Sequence, residues 1–433
     1  MRTLTKTVGK PIAVLIVLAA VAAFLPSASL SATQPSCKDV VNNVLSQNGY
    51  TPSALSRVSG RATSSINSEI LSFCSLKVAP PQVAAQVLKD SKIDAPHVGS
   101  FLAVGFKLSA TQSAQVLSAV GYNAAQIAAA LLGSFGQTPL QGAQQLQALG
   151  FGAPDIAGAL KSVYGETGDQ TGSILDTLGY EADAIGGALK DAYNFGADAV
   201  GEVLDGLGFG VDQIATAMKD VYNLGDAATA QVLQGLVFTA TEVGTALRDV
   251  YNLGDEAAAE ILQLVEFGAD DIGTALRDVY NLGAEAVAEI LAGNLAFPID
   301  LVATALKDVY GLTATAAAQV LQGVEYTADQ IANALKDVYG LGDEAAAEAL
   351  KGVEFTVNEI AAALKDAYNL ADEATAEVLY AIGISPDDIV NALQSVFGDT
   401  LDDIQNIAGD IGGAFGDALG SVLGCLEDPT SCI

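Results

Sequence analysis

Tryptophan is absent from this 433-residue chain, methionine occurs twice, and histidine occurs once, at His97. A metal site built on imidazoles is therefore excluded, as is a triad needing more than one histidine. Basic residues are scarce: 19 Lys and Arg stand against 51 Asp and Glu, for a formal net charge of −32. Phosphate binding needs clustered Lys and Arg, so a nucleic-acid partner is excluded. No Gly-x-Ser-x-Gly, His-Glu-x-x-His or Walker-type loop is present, so the chain reads as non-enzymatic. Carboxylates abound, yet no EF-hand loop gathers them, which leaves weak, diffuse Ca2+ binding as the one cation expectation. No resident cofactor or specific metal is expected. His97 reads as a lone surface or cap residue.

Only four cysteines occur, and all stand near the ends: Cys37, Cys74, Cys425 and Cys432. This placement predicts two local disulfides, Cys37–Cys74 and Cys425–Cys432, formed in an oxidising compartment. The N-terminus agrees. Arg2, Lys6 and Lys10 precede the uncharged apolar run 11–25, and small residues follow. That pattern predicts a signal peptide over 1–32, cleaved near residues 29–32. The run is shorter than the ~20 residues of a membrane span, so no transmembrane span is expected after cleavage; a retained anchor is the alternative. The expected location is secreted: extracellular, cell-surface or periplasmic.

The rest is dominated by repetition. An aromatic recurs at Phe106, Phe135, Tyr164, Tyr193, Tyr222, Tyr251, Tyr280, Tyr310, Tyr339, Tyr368 and Phe397. Each step is 29 residues except one of 30, between Tyr280 and Tyr310. Two leucine columns keep the same phase, one running from Leu102 to Leu393 with Met218 in it, the other from Leu88 to Leu379. Fixed self-similarity at this period signals a solenoid, here of about eleven units over residues 77–398.

Each unit reads as two short helices. Between Thr239 and Phe267, Val243, Leu247, Val250 and Tyr251 fall on one helical face, and Thr239 with Glu242 forms a capping box. After the aromatic stands Asn or Gly, which share tolerance of the left-handed conformation at a helix C′ position. A second helix follows, capped by Gly225, Gly254, Gly283, Thr313 or Gly342, and its end is assigned to a C′ glycine near Gly235, Gly293, Gly323 or Gly352. Alanines such as Ala257, Ala258, Ala346 and Ala349 are expected in the core. Such a hairpin cannot bury its apolar face alone, so an all-α solenoid is predicted, of order 100 Å long at roughly 8–10 Å per unit. The hand of its superhelix is left open. Residues 33–76 are expected to form an N-terminal helical cap. Residues 399–433 are expected to form a C-terminal amphipathic helical cap.

Charge is uneven along the chain. Residues 1–150 hold ten basic and four acidic residues, whereas 151–433 hold nine and 47. Seven units carry a basic–acidic pair just before the tyrosine, beginning Lys190/Asp191 and ending Lys365/Asp366. Stacking turns these into a ladder of Lys190, Lys219, Arg248, Arg277, Lys307, Lys336 and Lys365 beside Tyr193, Tyr222, Tyr251, Tyr280, Tyr310, Tyr339 and Tyr368. Two uses are open: cross-repeat ion pairs with aromatic packing, or a stripe that grips an extended partner. The functional expectation is a scaffold or adhesive protein that binds protein, surface polymer or copies of itself head to tail. An acidic protein that binds Ca2+ or a mineral surface is the alternative.

Overall fold

The computed structural model describes residues 80–90 and 92–427. Among these residues every regular element is helical and no strand occurs. The predicted signal peptide and N-terminal cap lie outside the described residues, as do Cys37, Cys74 and Cys432. Cys425 stands in the last helix, Gly413–Glu427.

Two kinds of helix alternate. We call A helices those that lead to the recurring aromatic, such as Ala182–Tyr193, Val211–Tyr222, Ala240–Asp249, Ala269–Tyr280 and Val357–Tyr368. B helices are the ten-residue elements before them, such as Gly168–Thr177, Ala197–Gly206, Asp255–Leu264 and Ala314–Gly323. Eleven of each are described, followed by the antiparallel pair Leu401–Ile411 and Gly413–Glu427. The chain divides into two compact units, one ending at Asn223 and the other starting at Leu224. Within each, consecutive helices pack on one another as an α-helical repeat solenoid.

Local chemistry explains the elements. Thr239 Oγ1 accepts the Glu242 backbone N–H at 3.3 Å, and the Glu242 carboxylate accepts the Thr239 N–H at 2.8 Å. The same capping box recurs at Thr327/Gln330 and Thr356/Glu359. A helices stop at a left-handed residue: Asn194, Asn223, Asn252, Asn281 and Asn369 have φ of 55–59°, and Gly311 and Gly340 take the same place. Both leucine columns are core. From Leu102 to Leu393 no member exceeds 1% exposure, and each such burial contributes roughly 1.5–3 kcal/mol.

The end of the B helix differs from the sequence reading. Gly235, Gly323 and Gly352 are the last helical residues rather than C′ residues. The left-handed position falls two residues later, at Val237, Glu266, Glu325 and Glu354, with φ of 64–67°. A Schellman pair closes that turn: Val237 N–H donates to Gln234 O and Phe238 N–H to Leu233 O. Equivalent turns elsewhere carry Gly121, Gly150, Gly179, Gly208 and Gly383. Ala257 is also corrected. It is exposed, and Ala258 and Ala259 are the buried pair.

The two rows pack differently. A helices press closely on the A helix of the next repeat, as Ala240–Asp249 does on Ala269–Tyr280. Small residues allow this approach: a Cβ built at Gly244 would stand 3.5 Å from Ala275 Cβ, and one at Gly273 would stand 3.7 Å from Ala305 Cβ. B helices meet their successors less closely, and grooves open between some of them.

Candidate functional site

The ladder before the tyrosine is built by the close approach of the A helices. Lys190 Nζ donates to Val221 O at 2.6 Å, Lys307 to Val338 O at 2.6 Å, Lys336 to Ala367 O at 2.7 Å and Lys365 to Val396 O at 2.8 Å. Arg248 reaches Val279 O at 2.6 Å, and Arg277 reaches Val309 O. Lys161, earlier in the same column, reaches Ala192 O. Each acceptor lies in the last turn of the next A helix or, for Val309 and Val338, at its C-cap, where carbonyls lack helical partners and the dipole favours a cation. The ammonium also lies over the next aromatic ring: Lys190 is 4.8 Å from the Tyr222 centroid, Lys307 5.4 Å from Tyr339, and Lys336 5.5 Å from Tyr368. Lys219 occupies the equivalent place in the last turn of its helix.

The sequence reading expected these bases to pair with carboxylates across repeats. The contact that crosses the boundary runs to a carbonyl instead. Arg248 and Arg277 pair with the aspartates beside them in sequence, Asp249 and Asp278, both at 2.7 Å. Those guanidinium hydrogen bonds hold the two carboxyls below the usual carboxylate range.

The tyrosines reach the other way. Tyr193 donates to Glu166 O, Tyr222 to Phe195 O, Tyr251 to Leu224 O, Tyr310 to Leu282 O and Tyr368 to Leu341 O, at 2.8–3.1 Å. Tyr280 points to Gly244 O at 3.5 Å. The Tyr339 hydroxyl is buried without a partner. Desolvation is the largest cause that pushes Tyr222, Tyr280, Tyr339 and Tyr368 up to about 12. A second set of hydroxyls repeats the motif at the other end of the A helix, just before its N-cap: Tyr122, Tyr180 and Tyr326 donate to Ile93 O, Phe151 O and Phe297 O. Most residues of the ladder, for which a binding stripe was one of two uses left open, thus make contacts from one repeat to the next.

The B row is chemically different. In the second unit its helices carry Asp226, Asp255, Glu256, Glu260, Glu285, Glu289, Asp343, Glu344, Glu348, Asp372, Glu373 and Glu377. The single base on these helices, Lys351, donates to Ile382 O. One groove of about 700 Å³ lies between helix Ala284–Glu289 with its π turn Ile290–Asn294 and helix Ala314–Gly323. Leu312, Ala316 and Val320 line it, with Glu285, Glu289 and Glu325 around them. A smaller groove of about 400 Å³ lies in the first unit between Gly168–Thr177 and Ala197–Gly206. Its residues Asp169, Phe195, Ala199, Val203 and Gly206 hold the same repeat positions as Glu285, Leu312, Ala316, Val320 and Gly323. The groove therefore recurs at two matching junctions. It is larger where leucine replaces Phe195 and where the 30-residue step falls.

Acidic groups also approach one another on the A row. Burial chiefly, and Asp308 nearby, push Asp270 above the usual carboxylate range; burial and Asp366 do so for Asp329. No group of three or more His, Cys, Asp or Glu is gathered as a metal site among the described residues. His97 binds the N-cap carboxylate of its own helix, Asp94, through both its backbone N–H and its ring. No helix of the described residues is long and apolar enough to cross a membrane.

The grooves escaped the sequence reading because they depend on the unequal spacing of the two rows. The glycines and alanines at A-row contacts were the available signal. Comparison with family models and with curated proteins finds no match to the chain.

Proposed function

We propose that this chain is an exported, non-enzymatic repeat scaffold that binds protein or surface polymer at or outside the cell surface. Export rests on the signal-like N-terminus and the four terminal cysteines. The binding role rests on one observation above others: a groove with the same register of residues recurs between B helices, on a row rich in carboxylates. A repeated surface of one sign favours extended or multivalent partners of the other. The A-row bases take little part, because their charge faces helix ends of their own chain.

Self-association is part of this reading. The N-terminal 150 residues carry net positive charge and the remainder is strongly negative. A head-to-tail contact of that kind does not close on itself and extends into filaments. Light scattering over a salt series tests it. The mean mass rises as salt is lowered, and a monomer at every ionic strength removes self-association from the proposal.

A second reading, divalent-cation binding, is favoured by the crowding of Asp270 with Asp308 and of Asp329 with Asp366. It requires millimolar Ca2+ to raise the melting temperature more than monovalent salt of equal ionic strength. An equal rise disposes of it.

A further inference from the structure

The groove between helix Ala284–Glu289 and helix Ala314–Gly323 combines two features. Its wall is mixed: Leu312 and Ala316, half-buried, and Val320, 8% exposed, make a small apolar seat, and the exposed Gln319 stands beside them. Glu285, Glu289 and Glu325 are exposed around it, and each is held at a different place: helix first turn, helix end and the turn beyond the next B helix. A volume of about 700 Å³ falls within the range of about 300–1,000 Å³ that holds a ligand or a short peptide segment. An apolar seat ringed by carboxylates rejects an acidic segment by repulsion and a purely polar one by desolvation. It accepts an apolar side chain whose neighbours are cationic, since lysine and arginine stems lie along apolar surface while their heads reach the carboxylates. An extended strand places successive side chains on opposite sides and spans about 3.3 Å per residue, so three to five residues cross the slot.

We propose that this groove is the docking site for an extended peptide segment in which an apolar residue is flanked by lysine or arginine. The proposal rests on the scaffold reading and names the chemistry of its partner. The first unit's groove shares the register of Asp169, Phe195 and Val203, but Ser173 and Gly208 stand where this groove has Glu289 and Glu325, and the Phe195 ring stands where Leu312 leaves room, so the full set of carboxylates belongs to the second unit's groove.

The test uses the full exported chain and fluorescence anisotropy. The probes are a labelled Lys-Leu-Lys peptide flanked by Gly-Ser, its Lys-Gly-Lys counterpart and its Glu-Leu-Glu counterpart. The first binds; replacing its leucine or reversing its charge weakens binding about tenfold or more. Glu285→Gln/Glu289→Gln/Glu325→Gln lowers affinity about tenfold. Asp271→Asn/Asp300→Asn/Asp387→Asn, which removes the same charge from exposed A-row sites, changes it less than about twofold. Ala316→Leu fills the seat and weakens binding without altering charge. Equal losses in the two triple variants, indifference to Ala316→Leu, or equal affinity for the leucine and glycine probes overturns the proposal, as does failure of the first peptide to bind. None of these outcomes alters the salt dependence of self-association, so the groove and the wider reading fail separately.

Discussion

The hydroxyl of Thr171 lies 2.6 Å from that of Tyr193, which in turn donates to Glu166 O at 2.8 Å. Thr229 and Tyr251 repeat the arrangement at the same 22-residue spacing. At that spacing Thr375 precedes Phe397 and Ser113 precedes Phe135. Both Thr375 and Ser113 are fully buried, and both hydroxyls lack a partner. A buried polar atom without a hydrogen bond costs about 1–3 kcal/mol.

Phe397→Tyr is therefore expected to raise stability by about 1 kcal/mol, because it offers Thr375 an acceptor. Phe135→Tyr should do the same for Ser113. Urea unfolding of each variant checks this. In a Thr375→Ala background the gain at Phe397→Tyr should vanish.

Gly142 holds the reverse relationship. A Cβ there would stand 2.1 Å from the Tyr164 hydroxyl, which is buried and has no partner. Gly142→Ala is expected to destabilise by about 1–3 kcal/mol through overpacking. Tyr164→Phe should be neutral or stabilising, and the double variant should recover part of the loss, because the ring carbon at 2.8 Å remains. Thermal melts of the four proteins complete the cycle.

Val237 and Glu354 sit at φ of 66° and 64° where other repeats have glycine. Side chains in this region cost roughly 1–2 kcal/mol. Val237→Gly and Glu354→Gly are each expected to stabilise by about 1 kcal/mol. Gly235→Ala should add about 1 kcal/mol more, since Gly235 is helical and a Cβ there meets nothing within 4 Å. Shifts in urea midpoint at constant slope check all three.

Alkali should unfold the chain as tyrosines ionise. Burial raises Tyr164, Tyr222, Tyr280, Tyr339 and Tyr368 from 10.0 to about 12, so the folded state holds these protons more tightly than the unfolded state does. Their contribution is full below pH 10 and is lost as pH rises toward 12. Tyrosinate absorbance and far-ultraviolet circular dichroism should change together in that window. Tyrosinate formation with the helical signal intact contradicts this.

Much of the fold was legible because the chain states it eleven times. The leucine columns, the threonine capping boxes and the Asn or Gly after Tyr193 to Tyr368 each carry a local physical reason that needs no tertiary context. Where tertiary context decides, the sequence was silent. Gly235 looked like a helix stop because glycine usually is one, yet the stopping conformation falls on Val237, an unfavourable residue for it. Lys190 and Lys336 stand beside aspartates, which suggested ion pairs, but the close A row brings a helix end within reach first. The grooves beside Leu312 and Phe195 are set by row spacing, and a column of similar residues does not reveal spacing.

Whether the lysine and tyrosine ladder holds the repeats together or grips a partner can be decided by one variant, Lys307→Met/Lys336→Met/Lys365→Met. It keeps the apolar stems and removes the cations from the carbonyls of Val338, Ala367 and Val396. The urea midpoint should fall at constant slope, reporting a loss of about 1 kcal/mol of unfolding free energy for each substitution, while Lys-Leu-Lys peptide binding stays at the native value. An unchanged midpoint with lost binding would contradict the account.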